Sequence, residues 1–278
     1  MSINKIAIGC AGVFAAAAVG AVLVRRLRKD MTAGAAVLNE TLPVNSKFWR
    51  DRAKLPGELL YVAIGDSAAQ GIGASAPDHS YVGILANDIQ RITGRSVRVR
   101  NLSISGATVA LAVADQLPRF LKLKPDIVTV AIGANNIAKW NPAEFESGIR
   151  KIFSALPQTA IVADLPCFYL PHNERKVAVA NSILRRVAAE HDLTVVPLHE
   201  TMQRQGIIGI LTQFAPDRFH PNNRGYRVWA SAFQPTLAAQ LAERFPAQRE
   251  HAKAAADARS TDTAAVDAAG IGATSVRS

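Results

Sequence analysis

Apolar positions along the chain alternate between short runs and helical stripes. Five runs of six to eight residues are mostly apolar, as buried parallel strands are. These runs are Leu59–Ile64, Val97–Ile104, Ile127–Ile132, Ala160–Leu165 and Leu193–Leu198. Between them apolar residues return at helical spacing. The alternation predicts an α/β fold in which helices cover both faces of a parallel sheet.

Two helix boundaries are readable from local chemistry. Asn141 followed by Pro142 and Glu144 is typical of a capped helix start. The last apolar stripe, from Tyr226 to Phe245, contains Pro235, which lacks a backbone N–H group. This proline predicts a kink or a split in the final helix.

The N-terminal segment has the pattern of a membrane anchor. Nineteen uncharged residues, Ile6–Val24, lie between Lys5 and a basic cluster that begins at Arg25. Because cations follow the apolar run directly, we expect an uncleaved anchor over residues 1–30 rather than a signal peptide. A buried or surface-lying helix is the alternative for so alanine-rich a run. The charge bias favours a cytoplasmic position for the domain that follows, with the exported side as the alternative.

The rest of the chain divides by composition. Residues 31–57 are interpreted as a tether, residues 58–247 as one folded domain, and residues 248–278 as a disordered, alanine-rich tail. With 278 residues and 49% hydrophobic content, the chain can bury one substantial core.

Charge and cysteine content exclude several kinds of partner. The net charge is +10, but the middle of the chain has no Lys/Arg block, so we expect no nucleic acid partner. Cys10 and Cys167 predict no disulfide framework, and the scattered histidines predict no metal site. The glycine pattern at Gly71–Ala76 begins too far after the first strand for a dinucleotide site, so no cofactor is expected. The oligomeric state is not predictable.

Candidate chemistry collects where predicted strands end, which is where parallel sheets bind ligands. Ser67 follows the first strand, Gly106 the second and Asn135 the third, while Asp217 and His220 precede the last helix. A serine, a histidine and an aspartate could form a nucleophilic triad, and N–H groups at the other positions could bind an oxyanion. Taken singly, Ser67 is equally typical of a helix cap, and the glycine, the asparagine and the histidine are more typical of structural positions such as turns.

Together these blocks resemble the SGNH hydrolases, the GDSL-type lipases and esterases. The resemblance rests on Gly65-Asp66-Ser67 with Gly71–Ala74 behind it, on Asn101–Thr108, on Gly133–Asn136, and on Asp217 with His220. It covers about residues 58–246. Two positions depart from the family pattern: Asn136 stands where an aspartate is usual, and Ala68 where leucine is common.

The resemblance implies a flavodoxin-like, three-layer α/β/α sandwich with a five-stranded parallel sheet. It implies ester hydrolysis through an acyl-enzyme, with Ser67, His220 and Asp217 as the triad. The N–H groups of Ser67 and Gly106 and the amide of Asn135 would form the oxyanion hole, and no cofactor or metal is implied. The substrate class stays open among short-chain, lipid and O-acetyl esters, and a membrane-tethered, non-catalytic binding protein is the alternative function.

Three further features have two interpretations each. Trp140 lies either at the rim of the substrate pocket or in the core, and Asp164 either lines the pocket or caps a turn. The apolar run Gly206–Leu211 either lines an acyl groove or packs under the last helix.

Overall fold

The computed structural model describes the backbone of residues 3–245, and side chains from Arg25 onward except those at positions 27, 28 and 31. The strands are β1 (Leu59–Gly65), β2 (Val97–Asn101), β3 (Ile127–Ala131), β4 (Ile161–Ala163) and β5 (Thr194–Val196). The helices are α1 (Ile3–Arg52), α2 (Ser67–Gln70), α3 (Tyr81–Thr93), α4 (Val109–Leu111), α5 (Leu117–Phe120), α6 (Pro142–Phe153), α7 (Pro171–Ala189), α8 (Leu198–Gln203), α9 (Gly206–Thr212) and α10 (Asn223–Arg244).

The five strands form one parallel sheet in the order β2-β1-β3-β4-β5. Each of the five predicted runs contains a strand, and only β1 extends beyond its predicted range, by one residue at Gly65. The chain leaves β1 toward β2 on one side and later adds β3 on the other, so the strand order reverses between β1 and β3. Crevices for ligands open at such a reversal, above the carboxyl ends of the strands.

Side chains of each strand alternate between two separate cores. Tyr61 and Ala63 of β1 pack on one face with α3 and α10, whereas Val62 and Ile64 pack on the other with α6 and α7. The predicted three-layer α/β/α sandwich is therefore present.

The N-terminal region departs from its predicted organisation. Residues 31–52, expected to belong to a tether, continue helix α1, and Pro43 lies inside that helix with its side chain exposed. The last turns are docked, because Asn45 and Trp49 are buried and both donate hydrogen bonds to the Gln70 carbonyl, at 2.9 and 3.0 Å. No local pattern in residues 31–57 indicates this distant acceptor.

The predicted anchor largely lies outside the described side chains. The backbone of its apolar run, residues 6–24, belongs to α1, but the side chains of that run are not described. Among the residues that are described, no helix is long and apolar enough to cross a bilayer. The predicted tail, residues 248–278, also lies outside the described residues.

Both predicted helix boundaries can be compared with the structure. Helix α6 begins at Pro142, and the Asn141 side chain accepts hydrogen bonds from the backbone N–H groups of Ala143 and Glu144, as predicted. The predicted split at Pro235 is wrong, since α10 runs through it as one helix of 22 residues. Phe233 and Leu237, on either side of the proline, are both fully buried, and this packing keeps the helix continuous.

Candidate active site

The nucleophile candidate lies in a tight turn between β1 and α2. Gly65 ends the strand, and a side chain there would collide with Ala69 and the Ala131 carbonyl. The Asp66 side chain accepts a hydrogen bond from Ala68 N and so caps the short helix. Ser67 is the first residue of α2, where backbone N–H groups have no partner within the helix.

Ser67, His220 and Asp217 form one hydrogen-bonded chain. His220 Nε2 lies 2.9 Å from Ser67 Oγ, and His220 Nδ1 lies 2.6 Å from Asp217 Oδ2. The other carboxylate oxygen of Asp217 accepts from the backbone N–H groups of Phe219 and His220. Burial raises the pKa of Asp217, but the hydrogen bonds from His220 and the backbone outweigh burial and hold the pKa below its usual value. The carboxylate is therefore ionised beside the imidazole.

A close backbone contact brings the histidine loop to the serine. Gly73 has a φ of 91°, and a Cβ atom there would lie 2.5 Å from the Pro221 carbonyl oxygen and 3.1 Å from His220 Cβ. The buried Tyr226 hydroxyl donates to the Ile72 carbonyl at 2.6 Å. The small residues that follow Ser67 thus allow the two segments to meet.

The predicted oxyanion donors lie on neighbouring strand ends. Asn135 follows β3 and lines the same cavity as Ser67 and His220, and its Nδ2 donates to the Ala107 carbonyl at 3.0 Å. A second contact of this amide, to Asp66, is long at 3.5 Å. Gly106 lies in an exposed turn after β2, with a φ of 78° that favours glycine, and is not part of that cavity wall.

Asn136 has a structural contact of its own. Its Oδ1 accepts a hydrogen bond from the backbone N–H of Val109 at 3.0 Å, which ties the turn after β3 to α4. An aspartate, usual at this position in the resembling family, could accept the same bond.

Among the carboxyl groups near Ser67, Asp66 has the most perturbed pKa. Its side chain is 4% exposed, and burial raises the pKa of Asp66 to about 6, although the Ala68 N–H and His220 oppose the shift. Ionised at neutral pH, it is held in a poorly solvated position next to Ser67.

An apolar cavity of about 550 Å³ opens from Ser67 and His220. Its walls come from the loop after β4, from α8 and α9, and from the histidine loop. Ile210 and Leu211 belong to the lining, so the run Gly206–Leu211 borders this cavity, as one of its two interpretations predicts. Trp140 instead packs against Phe145, and Asp164 accepts hydrogen bonds from His199 N and Arg185.

The loop that forms one wall is clamped by Glu174. One carboxylate oxygen accepts from the backbone N–H groups of Phe168 and Tyr169, and the other lies 2.7 Å from His199 Nε2. Cys167, Glu174 and His199 are close enough to suggest a metal site among the described residues. The carboxylate is already hydrogen-bonded on both oxygens, and burial raises the pKa of the Cys167 thiol to about 12, so the cluster fits a loop clamp better than a metal site.

Sequence reasoning missed two glutamines that support the nucleophile turn. Gln116 is fully buried and pairs with both backbone groups of Gly65, donating to the carbonyl at 2.8 Å and accepting from the N–H at 3.0 Å. Gln70 donates to the Ser103 carbonyl at 2.6 Å. A π-helical turn at Ala112–Gln116 carries the first glutamine, and a single sequence gives no signal for it.

Comparison with known families gives one match over most of the folded domain. The sequence profile described as the GDSL-like Lipase/Acylhydrolase family matches residues 63–228. The chain belongs to this family. The match includes Ser67, Asn135 and His220, and the predicted GDSL-type ester hydrolase is confirmed at that level. No curated protein matches the sequence.

Solved structures with the same architecture include members of this GDSL group. The lipase/acylhydrolase from Enterococcus faecalis has a TM-score of 0.55 and 20% identity, over 66% of this chain and 96% of that chain. The acetylxylan esterase Axe2 from Geobacillus stearothermophilus has a TM-score of 0.53 and 21% identity over the same shares. LAE5, an α/β hydrolase enzyme from the metagenome of Lake Arreo, Spain, has a TM-score of 0.52 and 26% identity, again over 66% and 96%. These likenesses confirm the predicted fold.

Proposed function

We propose that this GDSL-family chain hydrolyses carboxylic esters through an acyl-enzyme in which Ser67 is the nucleophile. The observation that carries the proposal is the hydrogen-bonded chain from Ser67 Oγ through His220 to Asp217. In that chain the base is within reach of the nucleophile's proton, and a third group orients the base.

The steps follow from the contacts. Ser67 Oγ attacks the ester carbonyl carbon while its proton passes to His220 Nε2. His220 then returns this proton to the leaving alcohol oxygen, which breaks the ester bond and leaves an acyl group on Ser67. A water molecule, deprotonated by the same nitrogen, attacks the acyl carbon and releases the acid. Asp217 holds Nδ1–H of the imidazole and stabilises its charged form.

Negative charge on the carbonyl oxygen needs donors above the strand ends. The backbone N–H groups of Ser67 and Gly106 have no acceptor within the described part of the chain. The Asn135 amide is the third donor, since one of its two N–H groups makes only a 3.5 Å contact with Asp66 and is available to the oxyanion. Removing one such donor costs about 10²–10³ in rate.

The test is covalent trapping of the nucleophile in the full chain. A fluorophosphonate should phosphonylate the wild-type protein at Ser67, as located by peptide mass spectrometry, and should leave Ser67→Ala unlabelled. Ser67→Ala should also lose ester hydrolysis by about 10⁶ in kcat. Ser231→Ala, which changes an exposed serine of α10 outside the triad, is the control. A folded wild-type protein that neither labels nor hydrolyses any ester above Ser67→Ala would instead favour the non-catalytic binding protein.

Attachment to a membrane through residues 6–24 stays a prediction of the sequence. Its support is the uncharged run and its basic flank, which also favour a cytoplasmic position for the catalytic domain. Expression of the full chain followed by alkaline carbonate extraction tests it. An anchored chain stays in the membrane pellet, and a chain released into the supernatant contradicts the anchor.

A further inference from the structure

The cavity beside Ser67 is much larger than a small acyl group requires. Its volume of about 550 Å³ falls in the range of sites that enclose a drug-sized ligand. An acetyl group, with two carbon atoms, would leave most of that space empty. Apolar walls offer few hydrogen bonds to water, so an apolar group fills such a cavity more favourably than water or a polar group does. The chemistry of the walls therefore indicates the class of ligand.

The walls away from the triad are apolar. Buried parts come from Cys167, Met202 and Trp229, and partly exposed parts from Phe168 and Phe214. The lining contains two side chains with a formal charge, and neither belongs to this apolar wall. Asp66 adjoins Ser67, and Arg218 is exposed. A hydroxyl-rich sugar would find few hydrogen-bonding groups here, whereas a hydrocarbon chain needs none.

The proposed mechanism gives this space to the acyl side of the ester. His220 donates its proton to the leaving oxygen, so the alcohol lies on the side of His220. There the neighbouring Arg218 is exposed to solvent. The acyl substituent then points the other way, toward Met202 and Trp229.

Exposed apolar side chains continue from the cavity along its rim. Leu170, Leu211 and Phe219 line the cavity and are 60%, 65% and 47% exposed. Ile207 and Ile208, in the same helix as Leu211, are also exposed. Such a patch at a cavity mouth is typical of a surface that meets an apolar ligand.

We propose that the preferred substrates are esters of long, unbranched acyl chains of about eight carbons or more, with the chain in this cavity and its end against the rim. This inference rests on the proposed function, because the direction of the acyl chain follows from the roles of Ser67 and His220. It narrows the open choice among short-chain, O-acetyl and lipid esters to the last.

The test compares p-nitrophenyl acetate with p-nitrophenyl octanoate on the full chain, with Ser67→Ala as the blank. Because each buried methylene contributes favourably, kcat/KM for octanoate should exceed that for acetate by about 100-fold or more. Leu211→Asp places a charge on the rim and should reduce the octanoate-to-acetate ratio by about tenfold. Leu121→Asp is the matched control. Leu121 is 64% exposed and precedes β3, so it lies toward the amino ends of the strands, opposite the cavity. The octanoate-to-acetate ratio of this variant should stay at the wild-type value.

Two isomeric esters locate the chain. Ethyl octanoate carries the long chain on the acyl side and octyl acetate carries it on the alcohol side, and the first should be hydrolysed faster. Faster hydrolysis of octyl acetate would overturn the acyl assignment. Acetate hydrolysis that depends on Ser67 and equals that of octanoate would overturn the substrate class while leaving the esterase proposal intact. An unchanged ratio in Leu211→Asp would show that the rim is not part of the binding site. If no ester is hydrolysed in a Ser67-dependent manner, both proposals are overturned.

Discussion

His220 Nε2 lies 2.9 Å from Ser67 Oγ although the two residues are 153 positions apart in the chain. The distance between them depends on contacts of residues that take no part in the proposed reaction. Gly73 lets the backbone of Pro221 approach, and Tyr226 bonds the Ile72 carbonyl from the start of α10. The segment after the serine and the segment after the histidine therefore form one packed unit, and a change at either contact should act on the geometry of the pair.

Asp217→Asn should reduce kcat by about 10⁴ because an amide can hold the imidazole in the wrong tautomer. The change should leave the fold intact, since the asparagine oxygen can still accept from the backbone N–H groups of Phe219 and His220. Steady-state hydrolysis of a p-nitrophenyl ester and thermal unfolding by circular dichroism check the two parts. A loss smaller than tenfold in a folded variant would contradict the orienting role.

Neighbouring asparagines provide a matched pair for the oxyanion hole. Asn135→Ala should lower kcat by about 10²–10³, because a donor to the developing negative charge is lost. Asn136→Ala removes the acceptor for Val109 N and should lower the free energy of unfolding by about 1 kcal/mol, with less than a tenfold effect on rate. Kinetics and urea unfolding of both variants separate the two roles, and equal rate losses would argue against Asn135 as a special donor.

Asp66→Asn should make stability less sensitive to pH. The pKa of Asp66 is raised from 3.8 to about 6 in the folded state, so the folded protein binds the proton more tightly than the unfolded chain does. As pH rises from about 4 through 6, this group therefore lowers the free energy of unfolding, by up to about 3 kcal/mol. The asparagine variant lacks that loss and can still cap Ala68 N.

The measurement is urea unfolding at pH 4 and at pH 8. The fall in stability between the two should be smaller in Asp66→Asn than in wild type. Asp78→Asn, a change at an exposed carboxylate, should behave like wild type. Identical pH dependence in all three proteins would show that Asp66 is better solvated than its burial indicates.

Gln116→Met should lower the free energy of unfolding by about 1–3 kcal/mol, because the buried Gly65 N–H would lose its partner and the Gly65 carbonyl would keep only the 3.4 Å contact with Ile104 N. Methionine keeps the volume and removes the pairing. Gln90→Met, at an exposed position of α3, should shift stability by less than about 0.5 kcal/mol. If the two variants unfold alike, Gly65 finds other partners and Gln116 is dispensable.

The sheet and the residues at its strand ends were predictable because both follow local rules. Buried parallel strands such as β3 are continuous apolar runs, and parallel strands bring their carboxyl ends to one edge. Ser67 and Asn135 could therefore be placed side by side before any coordinates were known. The pattern of small residues around them supplied the family resemblance.

The supporting contacts were not predictable because they join distant parts of the chain. Nothing in the sequence around Gln116 distinguishes it from a solvent-exposed glutamine, and its partner Gly65 is 51 residues away. The docking of Trp49 on Gln70 is of the same kind. The predicted split of α10 at Pro235 is wrong for a related reason, since tertiary packing on both sides of the proline outweighs its local cost.

The docking of helix α1 also determines where the cavity lies relative to the start of the chain. Asn45 and Trp49 hold it to Gln70, and Gly34 is packed so closely on Pro216 that a Cβ atom there would lie 2.7 Å from the Pro216 carbonyl carbon. From Arg25 to Gly34 the helix rises about 14 Å, at 1.5 Å per residue. A helical segment of that length acts as a rigid spacer rather than as a flexible linker. If the first residues of the chain were held at a surface, this helical segment would fix the distance and direction of the cavity relative to that surface.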